Sequence, residues 1–419
     1  MKLPRQEFTV LTDEATGMRL VHLHNPGARA GIFGVAVRAG SRDDEPGHFG
    51  LAHFVEHTIF KGTARRSSWH IINRMEAVGG ELNAYTTKEE TVVYSIFPNG
   101  SAPRAIELIA DLTANSRFPQ KELDKEREVV ADEIDSYLDT PSEAVFDDFE
   151  DLLFAGHPLG HNILGDRKSL RKFDTAVCRA YLKRHYRPDN MVAFYCGMQG
   201  AQHILDLLSR SIARSGPSSC APSVQPGAAA IAAAVAAAPF NLSRNIGSHQ
   251  AHTIVGIPTA GMFAPDRHAT ALLGNIIGGP GMNSLLNVEL REKRGLVYSV
   301  ESSISSFTDA GMLGIYFGCD PADTAQCTEI TLAVLDGIAR GTIITPRTLA
   351  MAKKQYTGQL VISSGNMESS ILSAARSTLF RGAPSPAAAA AEAIAAVGAD
   401  QLREVARRFS TASVLTLGR

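Results

Sequence analysis

Cysteine is scarce in this 419-residue chain: there are five, at 178, 196, 220, 319 and 327, odd in number and with no Cys-x-x-Cys pair among them. Neither a disulfide framework nor a thiolate zinc site is expected, and a reducing compartment fits best. Long apolar runs are missing too. No stretch reaches the roughly 18 residues that a membrane span needs, and the alanine-rich segment 228–238 is short and lies between prolines. Charge of one sign is not in excess, since 41 Lys+Arg stand against 43 Asp+Glu for a net charge of −2. That leaves no general basic field to hold nucleic acid or an anionic membrane. The opening residues MKLPRQEFTV contain charge but no apolar core behind it, and they lack the Arg/Ser bias of a transit peptide. The expectation is a soluble, cytoplasmic protein of bacterial type with no nucleic-acid or membrane partner.

What is present is an ordinary globular composition, 44% hydrophobic and 20% charged, in a chain too long for one core. The clearest break is the segment 214–239, rich in Pro, Gly, Ser and Ala and without charge after Arg214. It reads as a linker and divides the chain into residues 1–213 and 240–419. In the first part, RLVHLHNPG and AGIFGVAVRAGSR read as a strand pair. FGLAHFVEHTIF has helical periodicity through Leu51, Phe54, Val55 and Ile59. A helix from Ser67 or Ser68 to Val78, stopped by Gly79-Gly80, follows. ELNAYTTKEETVVYSIF reads as two strands about a polar turn at Lys88, and helices are expected over 102–116 and 120–138. The second part repeats this order: a strand at AHTIVGIP, helices over 266–277 and 283–293, and a strand pair in GLVYSVESSISSFTDAGMLGIYF. The fold class is therefore α+β, two similar domains, each a mainly antiparallel sheet flanked by helices. Near the C-terminus the alanine-rich 387–396 reads as a plain helix.

The sharpest chemical feature is His53-Phe54-Val55-Glu56-His57. Helical residues four apart project from one face, so both imidazoles can converge on one ion while Glu56 stands beside His57. H-x-x-E-H is the inverted form of the zinc-protease helix. A catalytic zinc needs three protein ligands and an open position, so a third ligand must come from elsewhere. The acidic run KELDKEREVVADEIDSYLD offers Glu126 and Glu133, seven apart and on one helical face. One can ligate and the other can orient a ligand; spacing does not choose between them. Other features carry less. His157 and His161 are four apart, but Pro158 and Gly160 break the helix that would join them. His22, His24, His48 and His70 read as surface or capping groups. Gly278-Gly279-Pro280-Gly281 lacks the Lys-Ser/Thr of a nucleotide loop and reads as a turn or a substrate-side loop.

HFVEH, followed by FKGT, VGGELNAYTTKEET, EREVVADEIDSYLDTP and GGPGMNSLLNVELREKRGLVYSV, resembles the insulinase-type zinc peptidases, the M16 family, and within it the mitochondrial-processing-peptidase-like branch. The resemblance spans most of the chain in order. It implies that Glu133 is the third ligand, that Glu126 is the supporting acid, and that Glu56 is the general base. It further implies one Zn2+ per chain held by His53, His57 and Glu133. From the second half it implies substrate-contacting roles for Arg291 and Tyr298, and it makes Asn83, Ala84 and Tyr85 part of an edge strand against which a peptide pairs. The implied activity is a zinc metalloendopeptidase of EC 3.4.24 type, degrading short or unfolded peptides inside a closed chamber. A homodimer is implied, since both the metal half and the Arg/Tyr half are in one chain. Two alternatives remain at this point: a processing subunit that needs a related partner, and a non-catalytic scaffold. The scaffold reading requires the loss of a ligand, and all four metal-site acids and histidines are kept.

Overall fold

The computed structural model describes residues 6–215 and 238–418. Apart from its ends, the expected linker 214–239 lies outside the described residues.

Among the described residues, eleven strands form two sheets. Those of the first are β1 (Phe8–Thr12), β2 (Arg19–His24), β3 (Ala30–Val37), β4 (Glu81–Thr86), β5 (Thr91–Pro98) and β6 (Met191–Gly197), in spatial order β1-β2-β6-β3-β5-β4. Those of the second are β7 (Asn241–Asn245), β8 (Ala251–Thr259), β9 (Val297–Ser306), β10 (Gly311–Cys319) and β11 (Ser413–Gly418), in order β7-β11-β8-β10-β9. Without β1, the two orders match strand for strand. In each sheet one pairing is parallel, β2 with β6 and β7 with β11, and the rest are antiparallel. This is the expected duplicated α+β architecture, with one correction. RLVHLH and AGIFGVAV are strands but not partners, because β6, contributed from much later in the chain, lies between them.

The helices repeat as well. Leu51–Thr58 and Ser68–Glu76 lie between β3 and β4, and Ala102–Asn115, Gln120–Leu138 and Pro141–Leu153 follow β5. Arg267–Gly278 and a π-helical turn Asn287–Glu292 lie between β8 and β9, and Thr324–Ala339, Pro346–Ser364 and Met367–Arg381 follow β10. The helix expected over 283–293 is thus shorter and wider than its periodicity suggests. The helix expected from Ser67 or Ser68 to Val78 ends at Glu76, and the Ser67 hydroxyl meets His70 Nδ1 at 2.8 Å rather than capping the backbone. Ala387–Ala396 is helical as expected.

The two halves are tied by an exchange of helices. Pro141–Leu153, from the first half, lays Ala144, Val145, Phe149 and Leu153 against Ile254, Met312, Tyr316 and Leu415 of the second sheet. Met367–Arg381, from the second, lays Ile371, Ala374, Ala375, Leu379 and Phe380 against Val21, Ile32, Val92 and Phe194 of the first. Phe149 sits over Gly256 of β8, where a Cβ would come within 2.7 Å of the ring, so glycine there makes the seat. Each fully buried aromatic of this kind contributes roughly 1.5–3 kcal/mol.

Charge reinforces the join. The β4–β5 turn places Lys88, Glu89 and Glu90 in buried positions. Glu89 accepts from Thr308 N at 2.9 Å and pairs with Arg42, which also grips Asp309 through two nitrogens at 3.0 and 2.7 Å. Lys88 donates to the His161 carbonyl and faces Glu150 at 3.9 Å, and Glu90 meets Arg376 at 3.5 Å. Among the described residues, no helix is long and apolar enough to cross a membrane.

Candidate metal centre

The helix Leu51–Thr58 is held at both ends. Gly50, at its N-cap with φ +92°, passes so close to the Leu164 carbonyl that a Cβ would lie 2.4 Å from the oxygen. Asp44 receives the first free backbone N–H groups, from Gly50 at 2.8 Å and Ala52 at 2.9 Å, in place of the side-chain cap that glycine cannot supply. One face of the helix buries Leu51, Phe54 and Val55, and the other presents His53, Glu56 and His57.

Gln120–Leu138 crosses beside it and brings the acids to the histidines. Glu133 Oε1 lies 3.8 Å from His53 Nε2, and Glu133 Oε2 lies 3.4 Å from His57 Nε2. The donor atoms of His53, His57 and Glu133 all fall within 4.8 Å of one another. Glu126, two turns earlier, accepts from His57 Nδ1 at 3.1 Å, so Nδ1 carries a proton and the ring is held with Nε2 directed at Glu133. Lys61 Nζ binds the other Glu126 oxygen at 2.7 Å.

These residues suit a zinc ion. Two imidazoles and one carboxylate are a catalytic zinc set with a position left over. Glu133 Oε2 is buried with no hydrogen-bond partner, although the side chain as a whole is 42% exposed, and an anionic oxygen left unbonded in this cluster calls for a cation. Burial pulls His53 down to about 3, with the His57 charge adding to the effect, so it is the neutral, ligating form. Burial also lowers His57, but its bond to Glu126 and the Glu56, Glu133 and Glu126 charges outweigh this and raise it overall. Glu126 is held low because the His57 and Lys61 bonds overcome its own desolvation. Burial raises Glu56, against the opposing pull of His57 and of the Thr86 hydroxyl, which donates to Glu56 Oε2 at 3.4 Å.

The remaining expected residues are distributed around this cluster. Asn83, Ala84 and Tyr85 lie on β4, the outer strand of its sheet, all half-buried. Arg291, exposed on the turn Asn287–Glu292, and Tyr298, on the outer strand β9, share a cavity of about 330 Å³ with the Gly278–Gly281 loop. The metal-site residues do not line that cavity. The Tyr298 hydroxyl donates to Asp320 at 3.1 Å.

His22 is buried rather than on the surface, 2.7 Å from the Gln199 carbonyl and stacked on Tyr195. His161 is buried against Phe49, and His157 pairs with Asp309 in a non-helical segment. Three supporting residues escaped sequence reasoning: Asp44, Lys61 and Thr86. Of these, Lys61 carries a usable signal, four residues after His57 and on the same side of the continuing helix.

Residues 19–167 match the model for insulinase (peptidase family M16), and 172–356 match that for the peptidase M16 inactive domain. The chain belongs to the M16 family. An uncharacterized zinc protease of Streptomyces coelicolor is 32% identical over 393 residues, covering 93% of this chain and 85% of the relative. The probable mitochondrial-processing peptidase subunit beta of Schizosaccharomyces pombe is 28% identical over 369 residues, 86% of this chain and 79% of that protein. A protease from Helicobacter pylori, solved by crystallography, superposes with a TM-score of 0.89 over 99% of this chain and all of the other, at 18% identity. That last likeness concerns the fold alone.

Proposed function

We propose that this M16 member is a zinc-dependent metalloendopeptidase that hydrolyses short or unfolded peptides. The observation that carries the reading is the convergence of His53, His57 and Glu133 with Glu56 beside them. A zinc ion on those three ligands would supply Lewis acidity, lowering the pKa of a water towards neutrality and polarising the scissile carbonyl. The protein groups do the rest. His53 presents a neutral nitrogen, and Glu126, steadied by Lys61, keeps the His57 ring turned with Nε2 towards Glu133. Glu56, raised by burial and bonded to Thr86, takes the proton from the attacking water and delivers it to the leaving amine. Arg291 holds a substrate carbonyl, and the Tyr298 phenol donates to the developing oxyanion. The open edge of β4 at Asn83, Ala84 and Tyr85 offers backbone pairing to an extended peptide, a mode that reads sequence weakly.

A homodimer enclosing a chamber suits these roles, because one chain contains both the metal half and the Arg/Tyr half; a related M16 subunit is the alternative partner. Enclosure favours oligopeptides over folded proteins. The test is hydrolysis of an unstructured peptide of about 20 residues by the purified chain, beside a Tyr298→Phe variant. Cleavage that a chelator abolishes and zinc restores, slower in the variant at unchanged metal content, supports the proposal. No cleavage by the zinc-loaded chain, alone or with an M16 partner, refutes it. Equal turnover of the variant removes Tyr298 from the mechanism.

A further inference from the structure

A second cavity, of about 430 Å³, opens between the loop that follows β8, strand β9 and the helices Pro346–Ser364 and Met367–Arg381. That is the volume of a site for a small organic molecule. It is unusual in charge. Arg267, His268, Arg376 and Arg381 all line it; Arg376 is paired with Glu90 at 3.5 Å, and the one acid on the wall, Asp266, is already taken by Arg408 at 2.6 Å. Arg267 and Arg381 are fixed in place by backbone carbonyls and not by acids: Arg267 donates to Ala264 O at 3.1 Å, and Arg381 to Met262 O at 2.8 Å. Among the described residues, neither guanidinium pairs with a carboxylate. The Arg267 Nε is buried without a partner. The charges feel each other, since Arg381 is lowered by burial and by Arg267 and Arg376, and His268 by burial and by Arg267 and Arg381.

We propose that this cavity is a binding site for a small organic oxyanion, a phosphate or carboxylate head carried on an apolar body. Guanidinium groups held by neutral carbonyls keep their positions while their positive charge stays uncompensated, which is the arrangement that recognises planar or tetrahedral oxyanions. The Ser373 hydroxyl stands on the same wall to donate to a further oxygen. Ile304, Leu360, Met262 and Pro386 form the apolar remainder, which suits the body of the ligand and gives a bare inorganic ion little to fill. None of the metal-site residues lines this cavity, so the proposal stands apart from the peptidase reading.

Calorimetric titration of the full chain with phenyl phosphate and benzoate, and with phenol as the uncharged probe, tests it. The expected result is saturable binding of at least one anion with a Kd below about 1 mM and none of phenol. Arg267→Gln and Arg381→Gln should each weaken that binding about tenfold or more at an unchanged melting temperature. Tighter phenyl phosphate assigns a phosphoryl head, and tighter benzoate a carboxylate. Ser373→Trp, at an exposed position on the cavity wall, should block binding by filling the space even if the arginine variants fold poorly. Failure of both anions to saturate, phenol binding as well as they do, or binding that survives Ser373→Trp or the combined arginine substitutions overturns the proposal.

Discussion

The helix Leu51–Thr58 and the helix Arg267–Gly278 stand in corresponding places, each following the strand at the centre of its sheet and each packed against a 19-residue helix, Gln120–Leu138 or Pro346–Ser364. Where the first pair of helices sets His53 and His57 against Glu126 and Glu133, the second sets Asn275 against Gln359, with Asn275 Nδ2 donating at 2.7 Å. The two neutral amides satisfy each other across the crossing. The first crossing leaves Glu133 Oε2 without a hydrogen-bond partner and gathers more negative than positive groups in one place. The same scaffold therefore supports both a closed polar contact and an open one, and what separates them is whether the side chains at the crossing can satisfy themselves. The second half's match to the inactive domain of the family accords with this.

That contrast can be broken from the active side first. Glu133→Gln replaces the proposed anionic ligand with a neutral amide, so zinc content should fall towards none, measured after dialysis beside the native chain. Full zinc occupancy in this variant would move the ligand role elsewhere. Glu126→Gln is milder. It removes the carboxylate bonded to His57 while leaving the three proposed ligands, and should weaken zinc about 10–100-fold in a competition titration with a chelator. An unchanged affinity would make the Lys61–Glu126–His57 chain merely structural. The smallest effect is expected on the quiet side: Asn275→Ala should cost about 1 kcal/mol of stability in a denaturant melt and leave zinc content untouched. Altered zinc content there would mean that the two crossings are not independent.

How much of this could be read in advance follows from the range of each signal. His53, Glu56 and His57 were legible because their relation is set by one helix turn, and Glu126 and Glu133 stood out for the same reason, although spacing alone did not choose between them. Strands β2 to β5 and β8 to β10 and the helices around the metal site were legible from period and turns, whereas β1, β6, β7, β11 and the helices Pro141–Leu153, Thr324–Ala339, Pro346–Ser364 and Met367–Arg381 were not read. What escaped involved partners distant in sequence. No local pattern announces that β6 inserts between β2 and β3, or that Pro141–Leu153 and Met367–Arg381 cross to the opposite sheet. Lys88, Glu89 and Glu90 read as a polar turn and are indeed a turn, but their charges are buried against Glu150, Arg42 and Arg376 from distant parts of the chain. His22, an isolated histidine, proved to be a satisfied core group because its partner is the carbonyl of Gln199.

The central claim is that His53, His57 and Glu133 hold the metal while Glu56 performs the proton transfer. It is tested most directly by measuring zinc content and peptide turnover together in the native chain and in Glu56→Gln. The account predicts equal zinc in both and turnover lower by about 10²–10⁴-fold in the variant. Loss of zinc from Glu56→Gln, or turnover close to native with zinc retained, would contradict it.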